Sequence, residues 1–142
     1  MRKTKCFIGE STVIHQPSNI YGCRIGARCA IGAFVEIGEG ACVGDGTSVQ
    51  AFTFIPGNVK IGNDVFIGPR VTFLNDKHPP SKGFWRCLPP TVVEDGAVIG
   101  GCATIMPGIT IGEGAFIGAG ALVTKSVGKG ERCWGFPATI KR

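Results

Sequence analysis

Three polar side chains that could take part in chemistry stand close together at Asn75, Asp76 and His78. The amide oxygen of Asn75 can accept a hydrogen bond from an amine and so orient it, although an Asn-Asp pair is also typical of a turn. Asp76 can bind a hydroxyl group or brace its own loop. The His78 imidazole can act as a general base near neutral pH. This cluster therefore predicts either a site that handles a nucleophile and its proton, or a turn.

These side chains open a stretch whose composition differs from that of the rest of the chain. Residues 74–92 contain four prolines, one glycine and several polar residues, which together indicate a loop. A loop of this length inside a regular domain is commonly functional. We therefore expect the chemistry here, with Phe84, Trp85 and Arg86 able to close over a bound ligand. Packing of the Trp85 ring against protein rather than ligand is the alternative.

On both sides of the loop the sequence repeats every six residues. A large apolar residue recurs at each sixth position from Ile25 to Phe73 and from Val93 to Val123, usually with a smaller residue two positions before it. Because alternate side chains of a strand face the same side, each hexad is a short strand that points both residues inward. A fixed period of six is the sequence mark of a parallel β-helix.

We predict a single all-β domain over residues 1–142, built as a parallel β-helix solenoid. Its hexads span residues 8–73 and 93–123, its inserted loop spans 74–92, and its C-terminal tail spans 124–142. A glycine directly follows the large residue in most hexads, as at Gly26 and Gly68. We expect these glycines to supply the positive φ of tight corners rather than to cradle phosphates. The step of five from Ile20 to Ile25 predicts one tightened corner near Gly22.

The charge distribution favours a small anionic ligand over nucleic acid. The net charge is +5, and its densest part is the C-terminal set Lys125, Lys129, Arg132, Lys141 and Arg142. No basic stripe is interleaved with aromatic residues, as a nucleic-acid site would require. No apolar run approaches the roughly 20 residues of a membrane span, and the start lacks a signal-peptide core. We therefore expect a cytoplasmic protein without membrane insertion.

The seven cysteines show no paired CxxC spacing, and we predict no zinc site. Cys23 and Cys29 occupy small inward positions of their hexads, so we expect them to be buried reduced thiols. Cys87 and Cys133 fall outside the regular hexads and are expected to be accessible.

Together, the two hexad blocks, the loop and the closing Gly-Phe-Pro-Ala of residues 135–138 resemble the hexapeptide-repeat acyltransferases. Residues 65–79 read Val-Phe-Ile-Gly-Pro-Arg-Val-Thr-Phe-Leu-Asn-Asp-Lys-His-Pro. This segment is similar to that of N-acetyltransferases acting on nucleotide-linked 3-amino sugars, which supply acetylated sugars for surface glycans. The resemblance implies a left-handed β-helix, although the general rule for parallel crossovers would give the right-handed form. It also implies a homotrimer with active sites between subunits.

The resemblance further implies acetyl-CoA as co-substrate, with no metal required. It puts Asn75 beside the sugar amine, while His78 or the departing CoA thiolate takes the proton. Asp76, Trp85 and Arg86 would contact the nucleotide sugar. Coenzyme A would lie in the groove between subunits, near Gly101, Ala103, Gly118, Ala119, Lys125, Lys129 and Arg142.

Two other functions stay open at this point. A sugar O-acetyltransferase would use His78 as an obligatory base. A non-catalytic β-helix scaffold would use neither the loop nor coenzyme A. Gamma carbonic anhydrases share the implied fold, but they need three histidine ligands, and this chain has only His15 and His78.

Overall fold

The computed structural model describes residues 5–142, which form a solenoid of very short strands. In chain order the strands are β1 (Phe7–Ile8), β2 (Val13–Ile14), β3 (Asn19–Ile20), β4 (Arg24–Ile25), β5 (Ala30–Ile31), β6 (Glu36–Ile37), β7 (Cys42–Val43), β8 (Ser48–Val49), β9 (Phe54–Ile55), β10 (Val59–Ile61), β11 (Phe66–Ile67), β12 (Thr72–Phe73), β13 (Thr91–Val93), β14 (Val98–Ile99), β15 (Thr104–Ile105), β16 (Thr110–Ile111), β17 (Phe116–Ile117), β18 (Leu122–Val123), β19 (Arg132–Gly135) and β20 (Ala138–Lys141). A single 3₁₀ turn, Phe84–Cys87, lies among these described residues between β12 and β13.

The strands form three sheets that define a triangular prism. Sheet 1 has the order β1-β4-β7-β10-β13-β16, sheet 2 the order β2-β5-β8-β11-β14-β17-β19-β20, and sheet 3 the order β3-β6-β9-β12-β15-β18. From β1 to β18 every third strand therefore returns to the same sheet, and one coil stacks directly on the last. The pairing among these strands is parallel and in register, as in Ile31 opposite Val49. The predicted parallel β-helix is confirmed.

The core is a column of the small and large residues that the hexads place inward. Ile31, Ile67 and the other large positions from Ile25 to Val123 are buried, as are their smaller partners. Two inward threonines satisfy their hydroxyls within the backbone: Thr47 Oγ1 donates to Gly62 O at 2.8 Å, and Thr53 Oγ1 to Gly68 O at 3.0 Å. Ile8 is 48% exposed because no described coil packs beneath β1.

The glycines that follow the large residues have a different role from the one expected. Positive φ falls three positions after the large residue instead, for example 57° at Arg28, 60° at Phe34 and 91° at Gly40. A Cβ added at Gly32 would lie only 2.6 Å from the backbone nitrogen of Ala51 in the next coil. These glycines are therefore required because adjacent coils approach closely. The tightened corner near Gly22 is present, with a φ of 61°.

The stacking extends past the last regular hexad. Val127 forms a parallel bridge with Ile111, and β19 pairs with β17 before the chain reverses into the antiparallel strand β20. Cys133 on β19 is consequently 1% exposed, so the expectation that it is accessible was wrong. At the other end of the loop, β13 begins at Thr91, two residues inside the segment assigned to the loop.

The other three cysteines with an expected location follow the sequence prediction. Cys23 and Cys29 are buried thiols, and Cys87 is exposed. The Cys23 sulfur lies 3.8 Å from that of Cys6 in the coil below. Burial, followed by the neighbouring Cys6, raises the pKa of Cys23 to about 12, so this thiol stays protonated near neutral pH.

Candidate functional site

The loop leaves the prism at the corner where each coil passes from sheet 3 to sheet 1, here called the loop corner. It then folds back over earlier coils. The Asn58 amide fastens it there, since Nδ2 donates to the carbonyl of Leu88 at 3.1 Å and contacts those of Trp85 and Pro89 at 3.4 Å. The Trp85 ring lies against Gly57, with Cη2 only 3.4 Å from the position a Cβ there would take.

A cleft of about 560 Å³ lies between this loop and the loop corner. Its volume falls within the range of roughly 300–1,000 Å³ typical of small-molecule sites. Three residues singled out in the sequence line it together, namely Asn75, Trp85 and Arg86. The other polar lining residues include Tyr21, Glu36, Glu39, Asn58 and Lys60.

The cleft combines opposite charges with an aromatic surface. The Arg86 guanidinium lies 4.4 Å from the centre of the Trp85 ring, a cation–π contact that orients both side chains. At the opposite wall, Glu36 Oε1 accepts a hydrogen bond from Asn19 Nδ2 at 3.1 Å. Partial burial raises the pKa of Tyr21, and the nearby Glu36 and Glu39 add to the shift.

Asp76 and His78 do not line the cleft. The Asp76 carboxylate accepts backbone hydrogen bonds from Ser81 at 2.9 Å and from His78 at 3.2 Å. These bonds, that from Ser81 first, hold the pKa of Asp76 below its usual value. Asp76 thus braces the loop, the second of its two expected roles, while the His78 side chain is exposed to solvent.

The residues expected to contact coenzyme A do not gather at one place in a single chain. Gly101 and Ala119 lie at the corner between sheets 2 and 3, Lys125 lies at the loop corner, and Lys129 lies at the corner between sheets 1 and 2. Arg142 is the exposed C-terminal residue.

Two of the expected coenzyme A residues are covered within the chain. The Ala103 side chain is 0% exposed in the core. Gly118 is covered by Trp134, whose Cβ lies 2.7 Å from where a Cβ at Gly118 would be. Ala103 and Gly118 are therefore buried together with their backbone atoms, and a ligand could meet only the exposed residues beside them, such as Cys102 and Ala119.

Several lining residues were missed by the sequence analysis. The hexad pattern constrains only the inward, buried positions of each coil. It gives no signal for outward positions such as Tyr21, Glu36 and Lys60. Asn58 could have been recognised from the sequence, because it stands three positions after Ile55, at a corner. The structure gives it a φ of 67° there. Asparagine is enriched at such positions, yet only the return of the loop makes its amide a clamp.

Within residues 5–142, no three His, Cys, Asp or Glu side chains come together as a metal site would require. Nor does this part of the chain contain a helix long and apolar enough to cross a membrane.

The fold and the six-residue repeats define the chain as a β-helix protein. Comparison with known proteins shows which β-helix proteins it is similar to. Residues 22–51 match the family model described as the hexapeptide repeat of succinyl-transferase. Residues 90–125 match the model of the bacterial transferase hexapeptide of six repeats. Both hexad blocks therefore contain hexapeptide repeats of the kind that these transferase models describe.

Two curated relatives illustrate the range of acceptors. The chain is 33% identical over 89 residues to a galactoside O-acetyltransferase of Lactococcus lactis, covering 60% of this chain and 43% of the relative. It is 34% identical over 79 residues to a 2,3,4,5-tetrahydropyridine-2,6-dicarboxylate N-acetyltransferase of Staphylococcus aureus, covering 56% of this chain and 30% of the relative. The chain thus spans less than half the length of either relative.

Two solved structures share the fold over nearly the whole chain. A variant of perosamine N-acetyltransferase from Caulobacter crescentus, in complex with CoA and GDP-perosamine, has a TM-score of 0.80 at 23% identity, covering 96% of this chain and 57% of that one. A variant of an N-acyltransferase from Bacillus cereus, in complex with dTDP and coenzyme A, has a TM-score of 0.81 at 20% identity, covering 95% and 82%. At these identities the similarity extends to the fold alone.

Proposed function

We propose that this protein is an acetyl-CoA-dependent N-acetyltransferase whose acceptor is a nucleotide-linked amino sugar, with a 3-amino sugar favoured. The observation that carries the proposal is the cleft itself, where the loop brings Asn75, Trp85 and Arg86 together. An amide, an aromatic surface and a guanidinium suit an amine, a sugar or base, and a phosphate respectively. The nucleotide-sugar complex of the Caulobacter enzyme supports the same class of acceptor.

In the proposed reaction a C–N bond forms to the sugar amine and the C–S bond of the thioester breaks. Asn75 Oδ1 accepts a hydrogen bond from the amine. This bond orients the amine so that the lone pair of its nitrogen points at the thioester carbon. The proton lost by the amine passes to the departing CoA thiolate. Arg86 offsets the negative charge of the nucleotide phosphates.

The proposal includes a homotrimer with active sites between subunits, acting in the cytoplasm. The outer side of sheet 2 is suited to the contact between copies, because six successive strands present no charged side chain there: Val13, Ala30, Ser48, Phe66, Val98 and Phe116. Coenzyme A from the groove between subunits would meet backbone groups near Gly101, Ala103, Gly118 and Ala119, with phosphates near Lys125, Lys129 or Arg142. A second subunit accounts for the separation of these residues in one chain.

A second candidate, sugar O-acetyltransferase, is favoured by the similarity to the galactoside enzyme. It would require His78 as base, but the imidazole is exposed and outside the cleft. We therefore expect His78→Ala to keep acetyl transfer to an amino sugar within about threefold, because the thiolate can take the proton. Loss of transfer by two orders of magnitude or more, the size of a general-base contribution, would instead favour the O-acetyltransferase.

A non-catalytic scaffold is separated from both enzymes by coenzyme A binding. A ligand that binds the native state alone raises the melting temperature, by an amount that grows with its concentration. We expect coenzyme A to raise the melting temperature of the protein. No shift up to millimolar coenzyme A would favour the scaffold.

A further inference from the structure

The cleft has an ordered sequence of chemical groups along the solenoid axis. At the loop corner, Tyr21 and Gly22, then Glu39, then Gly57, then Asn75 follow one another in successive coils. Gly40 N donates to Gly22 O at 2.9 Å, which fixes the first step of this stack. Three coil steps of about 4.8 Å separate Tyr21 from Asn75, so the cleft spans about 14 Å along this edge.

The two ends of the cleft differ in what they can bind. The upper end holds the Asn75 amide. Two residues provide positive charge in the upper and middle part of the cleft. Lys60 lies on β10, in the same coil as Asn75. Arg86 lies beside Trp85. The lower end holds the Tyr21 phenol and two carboxylates.

The two carboxylates at the lower end are in different states. Glu36 is already engaged by Asn19. Glu39 is exposed, and within the described residues its side chain makes no salt bridge or hydrogen bond. A carboxylate in a site for a phosphate-bearing ligand repels that ligand unless it accepts hydrogen bonds from it.

Building on the proposed function, we propose that the nucleotide sugar lies along this edge with its amino sugar at Asn75, its diphosphate against Lys60 and Arg86, and its nucleoside against Tyr21 and Glu39. Glu39 accepts hydrogen bonds from N–H or O–H donors of the nucleoside. The extended length of a nucleoside diphosphate sugar is of the same order as the cleft. Glu39 is thus a specificity-determining residue for the nucleoside.

The direction in which Glu39→Gln changes the affinity for nucleoside diphosphates tests this assignment. Calorimetry measures the binding of UDP, dTDP, GDP and pyrophosphate, with no sugar present, to the wild type, to Glu39→Gln and to Glu113→Gln. Glu113 is an exposed glutamate outside the cleft, so Glu113→Gln is the control for the change in net charge. We expect Glu39→Gln to weaken the best nucleoside diphosphate about tenfold, while pyrophosphate binds equally well or more tightly and the control changes nothing.

Three results would overturn the assignment. Tighter nucleoside diphosphate binding in Glu39→Gln would mean that the carboxylate only repels phosphate, and unchanged binding would mean that it does not contact the nucleoside. A raised KM for the amino sugar with unchanged nucleoside diphosphate binding would mean that Glu39 holds the ammonium group, in the reverse orientation. Absence of nucleoside diphosphate binding to the wild type would remove the subsite altogether.

The same measurements separate this inference from the proposed function. Acetyl transfer with no Glu39 dependence in nucleotide binding would leave the function standing without the subsite. Glu39-dependent nucleotide binding without any acetyl transfer would leave the subsite standing without the function. Tyr21→Phe provides a second variant, because it keeps the ring and removes only the hydroxyl; we expect it to weaken nucleoside diphosphate binding less than Glu39→Gln does.

Discussion

Asn75 is the single side chain on which the proposed chemistry depends most. It lies in the cleft with Trp85 and Arg86, and its oxygen is suited to hold an amine. We expect Asn75→Ala to lower kcat about 10²-fold, a typical effect of removing one positioned hydrogen-bonding group, with little change in the KM for acetyl-CoA. Steady-state kinetics with a nucleotide-linked amino sugar measure both parameters.

The matched control for this variant is Asn63→Ala. Asn63 is an exposed asparagine at another corner, where its side chain accepts a hydrogen bond from Asp45 N at 2.8 Å. The control should lower stability slightly and leave kcat within about twofold. Equal losses of kcat in both variants would contradict the role of Asn75, since they would report a general effect of corner asparagines.

The glycines provide a second prediction at the residue scale. Gly32→Ala forces a Cβ against the backbone of the next coil, whereas Gly114→Ala places a Cβ in open space at a φ of 66°. We expect the first to lower the free energy of unfolding by about 3 kcal/mol through overpacking. The second should lower it by about 1 kcal/mol through backbone strain. Thermal melts of both variants would contradict this explanation if Gly114→Ala were the less stable.

At this scale the sequence predicted some of the cleft and missed the rest for identifiable reasons. Asn75, Trp85 and Arg86 stood out because they interrupt a regular repeat. Glu39 stood in no such interruption and Tyr21 stood only at the tightened corner, so neither signalled a ligand; only the return of the loop gives them a shared ligand-sized space. The glycine role was misassigned because period alone does not distinguish a positive φ from a close backbone approach.

Among the elements, the loop of residues 74–90 depends on one clamp for its position over the cleft. Asn58 Nδ2 donates to the Leu88 carbonyl at 3.1 Å. We expect Asn58→Asp to release the loop, because a carboxylate there cannot donate and would repel the carbonyls. The KM for the nucleotide sugar should rise about tenfold, and limited proteolysis should cut the loop faster.

Two further variants separate the amide from the backbone conformation at this corner. Asn58→Gly keeps the positive φ and removes the donors, so we expect it to behave like Asn58→Asp in both assays. Asp64→Gly alters a corner with a φ of 53° away from the loop and serves as control. Unchanged proteolysis in both Asn58 variants would show that the loop does not depend on the clamp.

The strands could be predicted almost completely, because each hexad contains its own inward pair and its own corner. The last coil could not be predicted, because Val127 follows Val123 after only four residues and so breaks the period of six. Cys133 follows Val127 after six residues, but in the shifted register. Their burial comes from stacking on β16 and β17, a contact between coils that no local pattern encodes.

For the whole molecule, the six successive uncharged outer positions of sheet 2, from Val13 on β2 to Phe116 on β17, predict how copies associate. Phe66, at 42% exposure, lies near the middle of that side. We expect Phe66→Lys to reduce the mass in light scattering from that of a trimer to that of a monomer, because a buried unpaired ammonium strongly disfavours the contact. Thr110→Lys, on the outer side of sheet 1, should leave the mass unchanged. A trimer that survives Phe66→Lys would place the contact elsewhere.

The proposed function depends most directly on acetyl transfer from acetyl-CoA to an amine on a nucleotide sugar. The most direct measurement is mass spectrometry of reactions containing the purified protein, acetyl-CoA and UDP- or dTDP-linked sugars that carry a 3-amino, a 4-amino or only hydroxyl groups. A mass readout avoids the background that seven cysteines would give in a thiol-based assay. We expect one acetyl group to be added to the 3-amino sugar. Acetylation of the hydroxyl sugars alone, or of none while coenzyme A still binds, would contradict this expectation.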